Sequence, residues 1–199
     1  MKFVYHGVPR DMVGDVIYPL SQLAQVDGRL YEFQVSKYSG REAAMDFAVP
    51  GLGVKFNDTV HCACLHPYYL FAARQKLGLN PVPRPEPPSW ATGLAFEIPL
   101  ERILHHQVVW YSCRTLWING APNEDVPLVP PSEEFEPFDP DRYEARHAPT
   151  EAHLAYLTRM RDRGERGLMF VHIPHVLVAG PVDVSGLKTV GWDEPPATA

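Results

Sequence analysis

Apolar and polar positions along the chain alternate between two periods, and the switches mark the elements. Lys2 to His6 reads as a first strand, turned at Gly7-Val8-Pro9. Met12, Val13, Val16, Ile17, Leu20 and Leu23 follow helical spacing from Pro9 to Leu23, with a break expected at Pro19. Asp27-Gly28 is a turn, and residues 29–42 suit a helix followed by a loop at Ser39-Gly40-Arg41. Thr59 to Leu65 is a run of β-branched and small apolar residues and predicts a buried strand. His66-Pro67 then changes the period. Pro67 suits the first helical position, Leu70, Ala73, Arg74 and Leu77 recur three and four apart, and Gly78 stops the helix.

The second half is richer in strands. Leu94 to Pro99, Val108 to Ser112 and Thr115 to Ile118 are expected strands, the last closed by the Asn119-Gly120 turn signal. Thr150 fits an N-cap for a helix through Arg163, with Tyr156, Leu157 and Met160 on one face and Gly164 as its stop. Leu168 to Ile173, Val176 to Ala179 and Leu187 to Trp192 are read as closing strands. Between Pro81 and Pro88 lie five prolines, which predict a surface loop. The Pro-, Glu- and Asp-rich stretch from Asn123 to Arg146 is expected to run irregularly over the surface. Strands and helices do not alternate regularly, so the expected class is α+β with a mainly antiparallel sheet.

Length and composition narrow this only a little. A chain of 199 residues suits one domain, taken as 1–199, with a sizeable core. Its net charge of −6 argues against binding nucleic acid by bulk electrostatics, although a local basic patch could still do so. The cysteines are Cys62, Cys64 and Cys113, an odd number, which argues against a disulfide framework. Reduced thiols and a cytoplasmic setting are expected. The start of the chain turns polar too early for a signal peptide, and no apolar run has the length of a membrane span.

Candidate chemistry gathers around the strand-to-helix junction. His61, Cys62, Cys64 and His66 include good zinc ligand types, but alternation divides them, so buried small residues plus one polar histidine is the preferred reading over a metal site. No nucleophile elbow and no P-loop occurs. His105-His106 is read as a surface pair. Arg159, Arg161, Arg163 and Arg166 cluster at a helix C-terminus, where the helix dipole favours cations and where a phosphate backbone could also be met. At the other end of the chain, Tyr5-His6-Gly7 closes a strand with a polar side chain beside a backbone that can approach a ligand closely.

Taken with later motifs, that triplet resembles the ADP-ribosyltransferase fold, in particular the DarT-like branch that modifies nucleic-acid bases and, more distantly, the RNA 2′-phosphotransferases. The matching segments are the Tyr5-His6 strand, the basic loop Lys37-Tyr38-Ser39-Gly40-Arg41, and Asp58-Thr59-Val60 leading to His66-Pro67-Tyr68-Tyr69. Leu116-Trp117-Ile118-Asn119-Gly120-Ala121, Val176-Leu177-Val178 and the closing segment Val182 to Val190 complete the series. The resemblance spans most of the chain through short motifs.

The resemblance implies a split β-sheet with flanking helices and NAD as substrate. By it, His6 would hydrogen-bond the nicotinamide ribose, Gly7 would meet the carboxamide, and Tyr68 or Tyr69 would stack on the nicotinamide ring. Arg41 would serve the pyrophosphate or the transition state. The family's usual acid near the start of the penultimate strand has no counterpart, since Leu168 to Ala179 contains neither Asp nor Glu; His175 takes the best-matching place. The acceptor implied is a nucleobase or a phosphorylated RNA end. The family's toxin-like members leave open an antitoxin-like protein partner. Two other readings stand beside it: a non-catalytic nucleotide- or nucleic-acid-binding module on the same fold, and an unrelated phosphodiesterase or nuclease.

Overall fold

The computed structural model describes residues 1–10, 12–36, 38, 42–79, 91–116, 127, 129–165 and 167–196. The chain begins with β1 (Phe3–Pro9) and a two-residue β2 (Val16–Ile17). Three short helices follow, α1 (Leu20–Val26), α2 (Gly28–Ser36) and α3 (Glu42–Met45). Next come β3 (Thr59–Ala63), α4 (Pro67–Lys76), β4 (Ala91–Pro99), β5 (Val108–Tyr111) and β6 (Phe135–Pro137). Helix α5 (Glu151–Asp162) precedes β7 (His175–Ala179), β8 (Val182–Asp183) and β9 (Thr189–Gly191).

Among the described residues the main sheet runs β6-β5-β7-β3-β1-β4-β9, with every ladder antiparallel, and β2 pairs separately with β8. The expected α+β class with mainly antiparallel pairing is what the chain adopts. Register follows the pleat. Val4, Val60, Cys62, Ile98, Val176 and Val178 bury one face together with Tyr143 and Val182. The opposite face carries Val109, Tyr111 and Leu177 against Phe56, Leu52 and Ala44. A third group, Ala63, Leu65, Leu70 and Trp192, seats α4 beyond the end of β3.

Helix boundaries have local causes. His66 caps α4, its Nδ1 accepting from the Tyr68 amide at 3.2 Å, and Pro67 starts the helix. Gly78 lies past the end at φ 69°. Thr150 caps α5 by accepting from the His153 amide at 3.1 Å and also donates to the His172 carbonyl at 2.8 Å. Asp27 accepts from the Leu30 amide at 2.9 Å, which sets the start of α2.

Several expected elements differ. The helix read from Pro9 to Leu23 begins only after Pro19, because Val16 and Ile17 pair instead with Asp183 and Val182. No strand forms over Leu168 to Ile173: His172 sits at φ 58°, Gly167 at φ 69°, and the Ile173 amide closes a turn on Phe170. Ahead of 117–126, which lie outside the described residues with the second half of the expected Thr115–Ile118 strand, the backbone is held by a side chain. The Arg114 and Thr115 amides donate to the buried Glu134 carboxylate at 2.7 and 2.6 Å. The Asn123–Arg146 stretch is therefore no mere surface run, since it also supplies β6 and the buried Tyr143. The Pro81–Pro88 loop lies outside the described residues.

Candidate functional site

The main sheet opens between β1 and β3. Their ladder has a single registered pair among the described residues, Tyr5 opposite Ala63. On its other edge β1 pairs with β4 from Phe3–Pro99 to Pro9–Ala91, and β3 pairs with β7 along its whole length. Beyond Tyr5, then, His6, Gly7 and Pro9 diverge from the start of β3, and the gap becomes a cleft.

This cleft has two chambers. The larger, about 500 Å³, is lined by His6, Gly7, His61, Tyr111, Phe170 and His175 among others. The smaller, about 200 Å³, lies under α1 and α2 and is walled by Met12, Ile17, Leu23 and Leu30, with Asp27 and Asn57 at its edge. His6, Pro9, Gln34, Tyr38, Phe56 and His61 border both. Concave, aromatic-lined spaces with a few polar groups are the usual form of small-molecule sites.

Three imidazoles meet here. His6 Nδ1 lies 2.8 Å from the Gly7 carbonyl, which can only accept, so Nδ1 carries the hydrogen. The His61 and His175 rings are 6.4 Å apart, edge to face. Burial pushes the His175 imidazole down to about 3, helped by His61 and opposed by the Ile173 backbone. Burial likewise pushes His61 down to about 4. Both are neutral near pH 7. No Asp, Glu, Lys or Arg is among the described residues lining the larger chamber. Tyr5, also lining it, has its phenol raised by burial and by Glu97, so it stays protonated.

His6, Gly7 and His175, distant in sequence, are thus brought together. Tyr68 and Tyr69 are not among the cleft residues. The split lies at the beginning of β3, whereas α4 follows its end, and Tyr69 packs there against Tyr68, His66 and His147 at ring separations of 5.7, 6.3 and 6.2 Å. Arg41, with Lys37 and 39–40, lies outside the described residues, as does Arg166. Arg159, Arg161 and Arg163 are exposed on α5 and its C-cap, Arg161 being held by its neighbour Asp162 at 2.7 Å.

The cysteines are poor nucleophiles. Burial raises Cys62 to about 12, Cys64 further, and Cys113 to about 11. Among the described residues no group of three His, Cys, Asp or Glu is placed to hold a metal ion, and no helix is long and apolar enough to cross a membrane.

No family model, curated protein or solved structure matches this chain.

By sequence His61 is one polar histidine among buried small residues. Alternation sets it with Ala63 on the face opposite Cys62, but only the opening beside Tyr5 makes that face a cleft wall rather than core. Tyr111 and Phe170 carry no sequence signal beyond strand composition.

Proposed function

We propose that the chain is an NAD-dependent ADP-ribosyltransferase-like protein working in the split between β1 and β3, with a nucleobase or phosphorylated RNA end as acceptor. The observation that carries this reading is the split itself, which puts His6, Gly7 and His175 around one cavity of about 500 Å³. A sheet opening beside a His-Gly pair is in keeping with what the resemblance implies, although His6 and Gly7 lie within β1, paired with Phe96 and Ala95, and do not end the strand as the sequence suggests. The cavity's size and aromatic lining fit a nicotinamide-ribose group, and it shares His6, Gln34, Tyr38 and His61 with a second chamber of mixed polar and apolar lining.

In the reaction, the C1′–N bond to nicotinamide breaks and its electron pair leaves with the ring. The acceptor then bonds C1′ and gives up a proton. Positive charge develops on C1′, and fixed dipoles in a water-poor cleft stabilise it better than bulk solvent does. The neutral imidazoles and phenols lining the chamber offer such dipoles. His175, pushed down to about 3, is a weak base and serves better as an acceptor that orients a hydroxyl. The exposed Arg159, Arg161 and Arg163 suit an acceptor's phosphates.

The absence of a carboxylate among the described residues of the larger chamber favours a second reading, a nucleotide-binding module without transfer chemistry. One experiment separates them. A thermal shift with NAD supports both, and release of nicotinamide supports transfer alone. No shift and no release at millimolar NAD overturns both.

A further inference from the structure

His61 is held in one tautomer by the chain itself. Its Nε2 lies 3.0 Å from Thr59 Oγ1 and 3.3 Å from the Phe56 carbonyl oxygen. The Thr59 hydroxyl spends its one hydrogen on that same carbonyl, at 2.7 Å. Both oxygens facing Nε2 therefore accept, and Nε2 must carry the ring hydrogen. Nδ1 is then a bare acceptor, and it has no hydrogen-bond partner among the described residues. The ring stands edge-on to Phe56 at 4.3 Å, which fixes its plane. It lines both chambers at their junction.

His175, opposite Ala63 on the paired strand β7, shares the His61 wall of the cleft, and the two rings are 6.4 Å apart. The titratable groups lining the larger chamber beside the pair are Tyr5 and His6 on β1, Tyr38 after α2, Tyr111 on β5 and Cys113 after it, none of them a carboxylate. The smaller chamber, which His61 also lines, adds Tyr18 and Asp27.

We infer that His61 is a specificity-determining residue of the cleft, presenting Nδ1 as a fixed acceptor that selects a neutral ligand group bearing O–H or N–H, such as a ribose diol or a carboxamide, and not a phosphate. The inference deepens the reading above and rests on the same cleft. It gives the chambers a polarity: hydroxyls and amides belong at the His61–His175 junction, and the anionic part of any nucleotide lies elsewhere. For an anion to be held there Nδ1 would also have to carry a hydrogen, which makes a cation of an imidazole that burial keeps neutral.

The test is nitrogen-15 NMR of the histidine-labelled full chain at pH 7, read at His61, with adenosine, nicotinamide and inorganic pyrophosphate as probes. We expect a Nε2–H tautomer in the free protein and an Nδ1 resonance that shifts on adding adenosine or nicotinamide but not pyrophosphate. His61→Asn keeps an acceptor near the Nδ1 position, whereas His61→Gln keeps the Nε2-side donor and loses it. Probe affinity should fall about tenfold in His61→Gln and by less than about threefold in His61→Asn, the difference being one hydrogen bond. An Nδ1–H tautomer, a doubly protonated His61 with pyrophosphate, or no Nδ1 shift with either neutral probe overturns the inference; the wild-type spectra decide even where a variant misfolds. An NAD arm keeps the two readings apart. If adenosine moves Nδ1 while NAD neither binds nor releases nicotinamide, the transferase reading fails and the acceptor role of His61 stands.

Discussion

Tyr5 stands opposite Ala63, and past this pair β1 and β3 part company. Tyr5 remains fixed by β4, where it faces Glu97, so the divergence belongs to a rigid sheet and not to a frayed end. Gly7, two positions on, shares the Tyr5 face and lines the larger chamber. A side chain there projects into the cleft. Gly7→Val should lower NAD affinity more than tenfold while shifting Tm by only a few degrees, since strands tolerate β-branched residues. Calorimetric titration beside a melting curve reads both quantities.

In the proposed transfer, the charge state of His175 decides what it can do. With its imidazole down to about 3, it is neutral across the ordinary working range. Nicotinamide release should therefore show no inflection assignable to His175 between about pH 5 and 8, the window in which an unperturbed histidine titrates. His175→Ala should cost turnover less than the roughly 10²–10⁴-fold of a positioned general base, and His175→Glu should raise it by restoring a carboxylate. An inflection near pH 6.5 that vanishes in His175→Ala would show the histidine acting as a base after all.

Two buried histidines outside the cleft add to His61 and His175 in making stability fall with acid. Burial pushes His66 down to about 4, with Lys188 adding to it, and burial pushes His153 down to about 4, with Arg74 adding to it. Their folded-state values lie below the unfolded value near 6.5, so the unfolded chain binds more protons between the two. Stability is full above about pH 6.5 and falls as pH drops toward 4, by about 2 kcal/mol per histidine at about pH 5. Urea unfolding at several pH values should show this slope, and His153→Gln should flatten it. A stability that is level from pH 7 to 5 would contradict the burial of both rings.

Glu134 is a clamp for the chain beneath the cleft. Its carboxylate takes the Arg114 and Thr115 amides, next to Cys113, which sits at φ 52°. Hydrogen bonds to a buried charged group are worth about 1.5–3 kcal/mol, so Glu134→Ala should destabilise by that much or more. It should also expose Cys113, now buried and pushed up to about 11. Thiol-reagent kinetics would report the change as faster labelling at Cys113 than in the wild type.

The double role of Thr150 gives a smaller effect. Thr150→Ala removes both the cap on α5 and the bond to the His172 carbonyl, and should cost about 1–2 kcal/mol by urea titration. Thr150→Ser should recover most of that. The His172 turn adjoins Val171 and Phe170, so the alanine variant should also weaken cleft binding modestly.

The sequence alone determined what local physics decides. Pro67 and Gly78 bound α4, Thr150 and Gly164 bound α5, and alternation divided His61 and Ala63 from Cys62. These rest on caps, φ preferences and a two-residue period, all readable within a few positions. The antiparallel α+β character was legible from the irregular order of strands and helices; His6 and Gly7 stood out as a polar side chain beside a permissive backbone, and His175 entered only through the family resemblance. Tertiary structure decided the rest. Val16 and Ile17 fit a helical period as well as a strand, and only their pairing with Val182 and Asp183 chose between them. The apolar run from Leu168 to Ile173 has strand composition, yet it turns at Gly167 and His172 to cover α5, where Met160 and Tyr156 need a partner. His61 looked like a polar residue in a core because a sheet's split cannot be read from one strand. It became a cleft residue when β1 and β3 separated after Tyr5, a consequence of how each strand pairs with its other neighbour.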